Sequence, residues 1–468
     1  MCKIKINDEI IFAEKGELLS DILVRNGKSV EHPCGGKGTC RKCKVLVNGR
    51  EELSCQYRVS GDVSVSLFLQ SEILSETGVT VSGENTKNMC LCLDIGTTTI
   101  ALTLVSLDTK NIVKVKTATN PQRVFGADVI SRIDYCRKNG VEKLQDVLID
   151  KINKMIGELE IQKTLDMYVS GNVTMLHTFF GVDCSSMGVA PYKARFLESK
   201  TEKGEILGFK NIENVISLPS IHSFIGADLV AGMNYIGNPE KGKYNLLVDL
   251  GTNAEIVLYS EDSALCTSAA AGPCFEGANI SCGMSATDGA IYKFSRKNSQ
   301  IEIFTINEKS PQGICGTGFV DIVSQLVGEE IDATGYMEND YKIYGNISLN
   351  QGDIRQFQLA KSAVFSGVMT LINLKKITFE QIENMYISGG FSARINVENA
   401  VKIGLIPSEL QDKCVAINNS SLLGTIRFAC EKNNLSEYLE NAEYIDLSTN
   451  QMFSELFIEN MMFGVENK

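Results

Sequence analysis

Four cysteines near the start of this 468-residue chain are spaced for metal chemistry. Cys34, Cys40 and Cys43 stand in "HPCGGKGTCRKC" with the spacing Cys-x5-Cys-x2-Cys, and Cys55 follows in "ELSCQ". A structural zinc site usually draws on two C-x2-C pairs, and this segment offers one. Gly35, Gly36 and Gly38 let the backbone wrap closely and aim N–H groups at bridging sulfides. Four thiolates within a glycine wrap point to a [2Fe-2S] cluster. A zinc site and buried structural cysteines are the alternatives.

A second group of residues is suited to phosphate. "LCLDIGTTTIALTLVSLD" reads as an apolar strand ending in Asp94, a turn of Gly96, Thr97, Thr98 and Thr99, and a second strand. The same device recurs in "NLLVDLGTNAEIVLYSED", with Asp249, Gly251, Thr252 and Asn253. Such glycine turns present backbone N–H groups to an anion, and the hydroxyl and amide side chains add donors. Asp94 and Asp249, at the ends of facing strands, would hold Mg²⁺ against the terminal phosphates of ATP, and one of them could orient an attacking water. Glu255 and Glu276 are further acidic candidates, with structural hydrogen bonding as the bland reading. No Walker-type G-x4-G-K-[ST] occurs.

The elements that must carry these residues can be read from periodicity. "KIKINDEIIFAE" alternates as a hairpin, Leu18, Leu19, Ile22 and Leu23 share one helical face, and "CKVLVNG" and "DVSVSL" read as strands. Together they predict a small grasp-like sheet around the cysteine loop. Further on, "DMYVSGN" (166–172) echoes "NMYISGG" (384–390) in the same order as the two Asp-Gly-Thr segments. Two elements repeated in order predict an internal duplication. The expected division is 1–71 for the cysteine domain, 72–88 for a short linker, 89–242 for the first repeat and 243–468 for the second. The "GAD" turns at Gly126–Asp128 and Gly226–Asp228 read as helix starts, with a role facing the nucleotide as the alternative.

Composition narrows the partners. A net charge of −12 argues against nucleic acid and anionic membranes. The start of the sequence has no apolar leader, and no apolar run of membrane-spanning length stands out. Fifteen cysteines in such a chain suit the reducing cytoplasm.

The cysteine loop resembles that of ferredoxins, one residue longer in its first gap than the plant type. The Asp-Gly-Thr segments resemble the two phosphate motifs of the actin-like, sugar-kinase-like (RNase H-like) ATPases. "YISGGFSARIN" is similar to their adenosine motif, which implies nucleotide contacts for Ser388, Gly389, Gly390 and Phe391. "GICGTGFVDIVSQL" is similar to their connecting-helix motif, which implies the same for Gly316, Thr317 and Gly318. "NPQRVFGADVISRI", "SGNVTMLHTFFG" and "AAGPCFEGANISCGMSATDGAI" resemble the reductive activators of corrinoid proteins. The resemblance implies an α+β ferredoxin domain followed by a duplicated α/β ATPase. It implies ATP-dependent one-electron reduction of a Co(II) corrinoid to Co(I), with Asp94, Asp249 and Glu255 as catalytic candidates. Implied partners are a corrinoid protein of a methyltransferase system and an unidentified electron donor, and a homodimer is allowed. Longer relatives carry an additional linker domain where this chain has about 17 residues. A sugar-kinase-type enzyme with an accessory cluster, or a nucleotide-gated redox-sensing module, are the competing readings.

Overall fold

The computed structural model describes residues 2–6, 9–25, 44–67, 88–126, 128–161, 163–297, 300–390 and 392–464. Cys34, Cys40, Cys43, Phe391 and linker residues 72–87 lie outside the described residues.

In the first domain, β1 (Cys2–Ile6) and β2 (Glu9–Ala13) form the expected hairpin, followed by α1 (Leu19–Arg25). Strands β3 (Lys44–Val47), β4 (Arg50–Leu53) and β5 (Val63–Leu67) complete a five-stranded sheet in the order β2-β1-β5-β3-β4. Alternation explains its one-sided core. Cys2, Ile4 and Ile6 point inward while Lys3 and Lys5 face solvent. Leu19, Ile22 and Leu23 of α1 pack fully buried against Ile4, Ile6, Val45 and Val65, each contributing about 1.5–3 kcal/mol through burial.

The remainder is built twice to one plan. Strands β6 (Met89–Ile95), β7 (Thr99–Ser106) and β8 (Ile112–Thr119) form an antiparallel meander. The chain then runs through α2 (Val129–Asn139) and α3 (Glu142–Glu158) into β9 (Leu165–Gly171), which lies parallel to β6. After α4 (Val173–Phe179) and the short edge strand β10 (Thr201–Lys203), β11 (Ile212–Ser217) adds parallel to β9. The order is β10-β11-β9-β6-β7-β8, and α5 (Ala227–Ile236) follows.

The second repeat begins with the meander β12 (Tyr244–Leu250), β13 (Ala254–Tyr259) and β14 (Ala264–Ala269). A long excursion follows. It holds β15 (Ala290–Lys297), β16 (Gln300–Thr305), β17 (Gly313–Ile314), α6 (Gly316–Leu326), the hairpin β18 (Tyr341–Tyr344) and β19 (Ile347–Leu349), and α7 (Gln351–Lys375). Although α7 is long and apolar enough to cross a membrane, 78% of its apolar window is packed inside the protein. Strand β20 (Ile382–Ser388) then returns parallel to β12, and α8 (Val397–Lys402) leads to β21 (Cys414–Ala416). Helix α9 (Ser420–Glu431), α10 (Ser436–Glu440), the edge strand β22 (Ala442–Tyr444) and α11 (Gln451–Glu459) complete the chain. In the order β21-β20-β12-β13-β14-β22, the first five strands repeat β11-β9-β6-β7-β8 of the first sheet. Register repeats as well: Asp94 lies opposite Ser170, and Asp249 opposite Ser388.

One helix of each repeat packs on the other repeat's sheet. Leu422, Ile426 and Ala429 of α9 are buried against Cys90, Cys92, Ala101 and Val105 of the first sheet. Leu229 and Met233 of α5 are buried against Leu247, Val257 and Tyr259 of the second. Where α5 and α9 cross, a Cβ on Gly424 would stand 1.7 Å from the Ala231 carbonyl oxygen. Gly424→Val is therefore expected to force the helices apart and cost about 1–3 kcal/mol, seen as a lowered thermal midpoint. Gly157→Ala, at an open helical position, should be neutral or stabilising by under about 1 kcal/mol.

Candidate functional site

The strand ends of the two sheets bring five carboxyl groups into one electrostatic neighbourhood: Asp94, Asp228, Asp249, Glu255 and Glu276. Asp94 and Asp249 occupy matching positions near the ends of β6 and β12. Glu255 pairs across the hairpin with Asp249. Asp228 starts α5, accepting from the Leu229 N–H at 3.0 Å, and Glu276 accepts from the Thr252 hydroxyl at 2.9 Å.

Each carboxyl is pushed toward its neutral form. Burial lifts Asp228 to about 8, helped by repulsion from Asp249 and Asp94. Burial lifts Asp249 to about 6 despite the Ser388 bond, with Asp94 and Glu276 adding repulsion. Glu255 lies well above the usual range through burial and the charges of Asp249 and Asp228. Asp94 and Glu276 are raised by burial against their own hydrogen bonds. Among the described residues no group of three or more His, Cys, Asp or Glu could hold a metal ion. Mg²⁺ keeps several waters and binds through one or two carboxylates plus substrate phosphates. The Asp94 and Asp249 pair fits an ion that arrives with phosphates.

The two aspartates are held differently. Asp249 accepts from Ser388 on the adjacent strand at 2.7 Å. Asp94 accepts from Asn419 at 2.8 Å and Ser421 at 2.8 Å, both brought from the other repeat at the start of α9. Ser170, the counterpart of Ser388, instead meets the Ser421 hydroxyl at 2.8 Å and accepts from Thr425 at 2.7 Å.

Both glycine turns are closed by short backbone bonds, Gly96 N–H to Thr99 at 3.0 Å and Gly251 N–H to Asn253 at 2.9 Å. Thr97 and Thr98 are half-buried, as are Gly251, Thr252 and Asn253, while Thr99 is exposed. Behind each turn lies a glycine of the "SG" echo. Gly389, at φ +95, would place a Cβ 2.4 Å from the Leu250 carbonyl, and Gly171 would place one 2.7 Å from that of Ile95. Only glycine fits beside these strand ends. Gly390 is open to solvent.

Gly316, Thr317 and Gly318 are buried at the start of α6. A Cβ on Gly318 would meet the Ile291 carbonyl at 2.1 Å, so this glycine lets α6 close on β15. Of the two "GAD" turns, the first is a helix start, with Asp128 accepting from the Ser131 N–H at 2.7 Å. The second starts α5 and also adds Asp228 to the carboxyl cluster. Asn419 and Ser421 were not anticipated. "NNSSLL" signals a helix N-cap, which Asn419 supplies, but nothing local points to Asp94.

In the first domain, Cys55 is buried beyond β4, with the Gln56 amide 3.7 Å from its sulfur. A donor set of four thiols is the kind that iron–sulfur clusters take.

Comparison with known proteins agrees with this architecture. Residues 89–238 match the family model described as the RACo middle region, and 243–468 match the C-terminal domain of RACo, its ASKHA domain. The chain belongs to the family of reductive activators of corrinoid proteins. Residues 4–63 match the 2Fe-2S iron-sulfur cluster binding domain, so the first domain is of the cluster-binding type. The corrinoid activation enzyme RamQ of Eubacterium limosum is 27% identical over 584 residues, covering 98% of each chain. The [Co(II) methylated amine-specific corrinoid protein] reductase of Methanosarcina barkeri is 27% identical over 422 residues, covering 80% of this chain and 77% of its own. A solved reductive activator for corrinoid,iron-sulfur protein superposes with a TM-score of 0.72 at 24% identity, over 99% of this chain and 98% of that one. The ferredoxin-plus-duplicated-ATPase fold expected from the sequence is the fold observed.

The raised carboxyls make a signed prediction. A group whose folded pKa exceeds its unfolded value of about 3.9 contributes stability at low pH that is lost as pH rises through the folded value. For Asp249 and Asp228 those values are about 6 and 8. The ligand-free chain should therefore lose thermal stability between about pH 4 and pH 8. Asp228→Asn should flatten the upper part of that decline, as followed by thermal melts across the range.

Proposed function

We propose that the chain performs ATP-dependent reductive activation of a corrinoid protein, passing one electron to Co(II) corrinoid to regenerate Co(I). The observation that carries this reading is the joining, in one chain, of a four-cysteine ferredoxin domain to a duplicated body in which each of two matching aspartates precedes a glycine turn.

On this reading Gly96 to Thr99 and Gly251 to Asn253 bind the ATP phosphates from opposite sides. Asp94 and Asp249 hold Mg²⁺, whose positive charge favours their ionised forms. Glu255, beside Asp249, is placed to take a proton from an attacking water once it too is ionised. Ser388, Gly389, Gly390 and Phe391 border the nucleoside, and Gly316, Thr317 and Gly318 set the helix behind it. The domains divide as 1–71, 72–88, 89–242 and 243–468. Cys34, Cys40, Cys43 and Cys55 hold a [2Fe-2S] cluster, which supplies a single electron at roughly −400 mV if it behaves as the plant type does.

Reduction of Co(II) corrinoid is uphill from such a donor, as the family resemblance implies. Binding ATP between the repeats draws them together by favouring the closed arrangement, and closure alters the partner so that transfer becomes favourable. The names of the two relatives support a corrinoid protein as partner. We extend the reading to a corrinoid protein of a methyltransferase system and to a homodimer. The cysteine content favours a cytoplasmic setting.

The test mixes the purified chain with a Co(II) corrinoid protein, ATP and a reductant while cobalt absorption is followed. Co(I) should appear only with ATP. Cys40→Ser should abolish reduction. Asp249→Ala should lower ATP turnover about 100-fold or more and leave the iron–sulfur spectrum intact. Reduction surviving in Cys40→Ser would sink the electron-transfer role.

A further inference from the structure

Helix α2 buries a cation directly beneath the first phosphate turn. Arg132 is 0% exposed and among the largest fully buried side chains of the described residues. An arginine is almost never buried so completely unless paired. Its acceptors here are all neutral: Nε donates to the Gly126 carbonyl at 3.0 Å, Nη1 to Gln122 Oε1 at 3.3 Å and Met175 Sδ at 3.2 Å, and Nη2 to the Thr97 carbonyl at 2.6 Å. Burial lowers its pKa to about 10, with Asp128 pulling upward and Arg123 downward. It still carries its charge at neutral pH.

The Thr97 bond belongs to a larger clasp. The Gly96 carbonyl accepts from the Asn120 side chain at 2.8 Å, and the Thr98 carbonyl from the Asn120 N–H at 2.9 Å. Three consecutive carbonyls of the turn are thus turned toward one segment, 120–132. In a planar trans peptide the carbonyl and the following N–H point in opposite directions. The N–H groups of Thr97, Thr98 and Thr99 are therefore turned away from the clasp. Those of Thr97 and Thr98 donate to no backbone carbonyl among the described residues. The Thr97 side chain is fixed as well, its hydroxyl accepting from Asn172 at 3.0 Å.

The second turn has no such support among the described residues. Its Thr252 is tied to Glu276, an acid. The matching turns therefore differ in the charged group bonded to them, a guanidinium at the first and a carboxyl, itself within the field of Arg123, at the second.

We propose that Arg132 is a positioning residue for nucleotide, a fixed positive charge under the first turn that holds Thr97 and Thr98 N–H groups toward the terminal phosphates of ATP. This rests on the nucleotide reading given above. Asp128 lends Arg132 a carboxylate charge but accepts no hydrogen bond from it among the described residues, and the bound phosphates add a second anion. The interaction should grow with phosphate charge and be absent for a ligand without phosphate. A strut that merely held the loop together would show neither trend.

The experiment measures affinities of the full chain for Mg²⁺–ATP, Mg²⁺–ADP and adenosine by titration calorimetry, in wild type, Arg132→Met and Arg132→Lys. Arg132→Met should weaken Mg²⁺–ATP by roughly 10- to 100-fold and Mg²⁺–ADP by less. Adenosine binding should change by under about 2-fold. Arg132→Lys keeps the charge but not the fork to Thr97 and Gly126, and should recover part of the ATP affinity. If Arg132→Met does not fold, the graded loss in Arg132→Lys decides. Equal weakening of all three ligands, or none, in a chain that binds Mg²⁺–ATP normally as wild type would overturn this proposal alone. Failure of the wild type to bind Mg²⁺–ATP would remove the nucleotide reading and this proposal with it.

Discussion

Crowding of carboxyl groups where the two sheets end is the constraint to which the larger body is fitted. Burial raises the proton affinity of Asp94, Asp228, Asp249, Glu255 and Glu276, and neighbouring carboxylates raise that of Asp228, Asp249 and Glu255 further. Such a cluster is tolerable in three ways: protonation, hydrogen-bond donors, or a cation. The fold supplies donors from Ser388, Asn419, Ser421 and Thr252, and the raised pKa values show that these donors do not suffice. In the ligand-free chain protonation takes up the rest. On the proposed reading, a cation arriving with phosphates would take over that role.

The duplicated plan would allow the two aspartates to be equivalent, and they are not. Asp249 is braced within its own sheet by Ser388. Asp94 is braced by Asn419 and Ser421 on α9, which comes from the other repeat, and the Ser170 position is drawn into the same chain of hydroxyls. Because α9 packs on the first sheet and crosses α5 at Gly424, its start cannot shift without disturbing either the Asp94 bonds or the helix crossing. Hydrogen bonds that cross between the repeats therefore end on Asp94, while the Ser388 bond of Asp249 stays within its own sheet.

Much of this was legible in the sequence because it is local. Strand–turn–strand alternation revealed β6, β7, β12 and β13, and the "SG" echo revealed β9 and β20, since in each case a few adjacent residues carry the pattern. The hairpin and helix of the ferredoxin domain were legible for the same reason. The supports of the site were not. Asn419 lies 325 residues from Asp94, and an asparagine before an apolar helix looks the same whether or not its amide reaches a carboxylate. Nothing in the sequence singles out Arg132, because sequence shows neither its burial nor its neutral acceptors. Asp228 was legible as a helix start, which it is, but its repulsion by Asp249 and Asp94 depends on how α5 crosses to the second sheet. Gly318 looked like a nucleotide glycine by resemblance, and the close approach of Ile291 gives it a packing reason independent of any ligand.

On the proposed reading, duplication also answers why a redox protein would use this kind of nucleotide body. A single phosphate loop binds ATP without moving anything far. Two turns on two packed bodies, with a carboxyl from each sharing one cation, make binding and closure the same event. Taking a two-state equilibrium from 1:99 to 99:1 requires roughly 5.5 kcal/mol of differential affinity. Asp94 and Asp249 would both hold the cation only when the halves are together, so that interaction would count as differential affinity. Repulsion within the empty cluster would act in the same direction. The acidic crowding that weakens the ligand-free chain is therefore the same feature that lets nucleotide drive it.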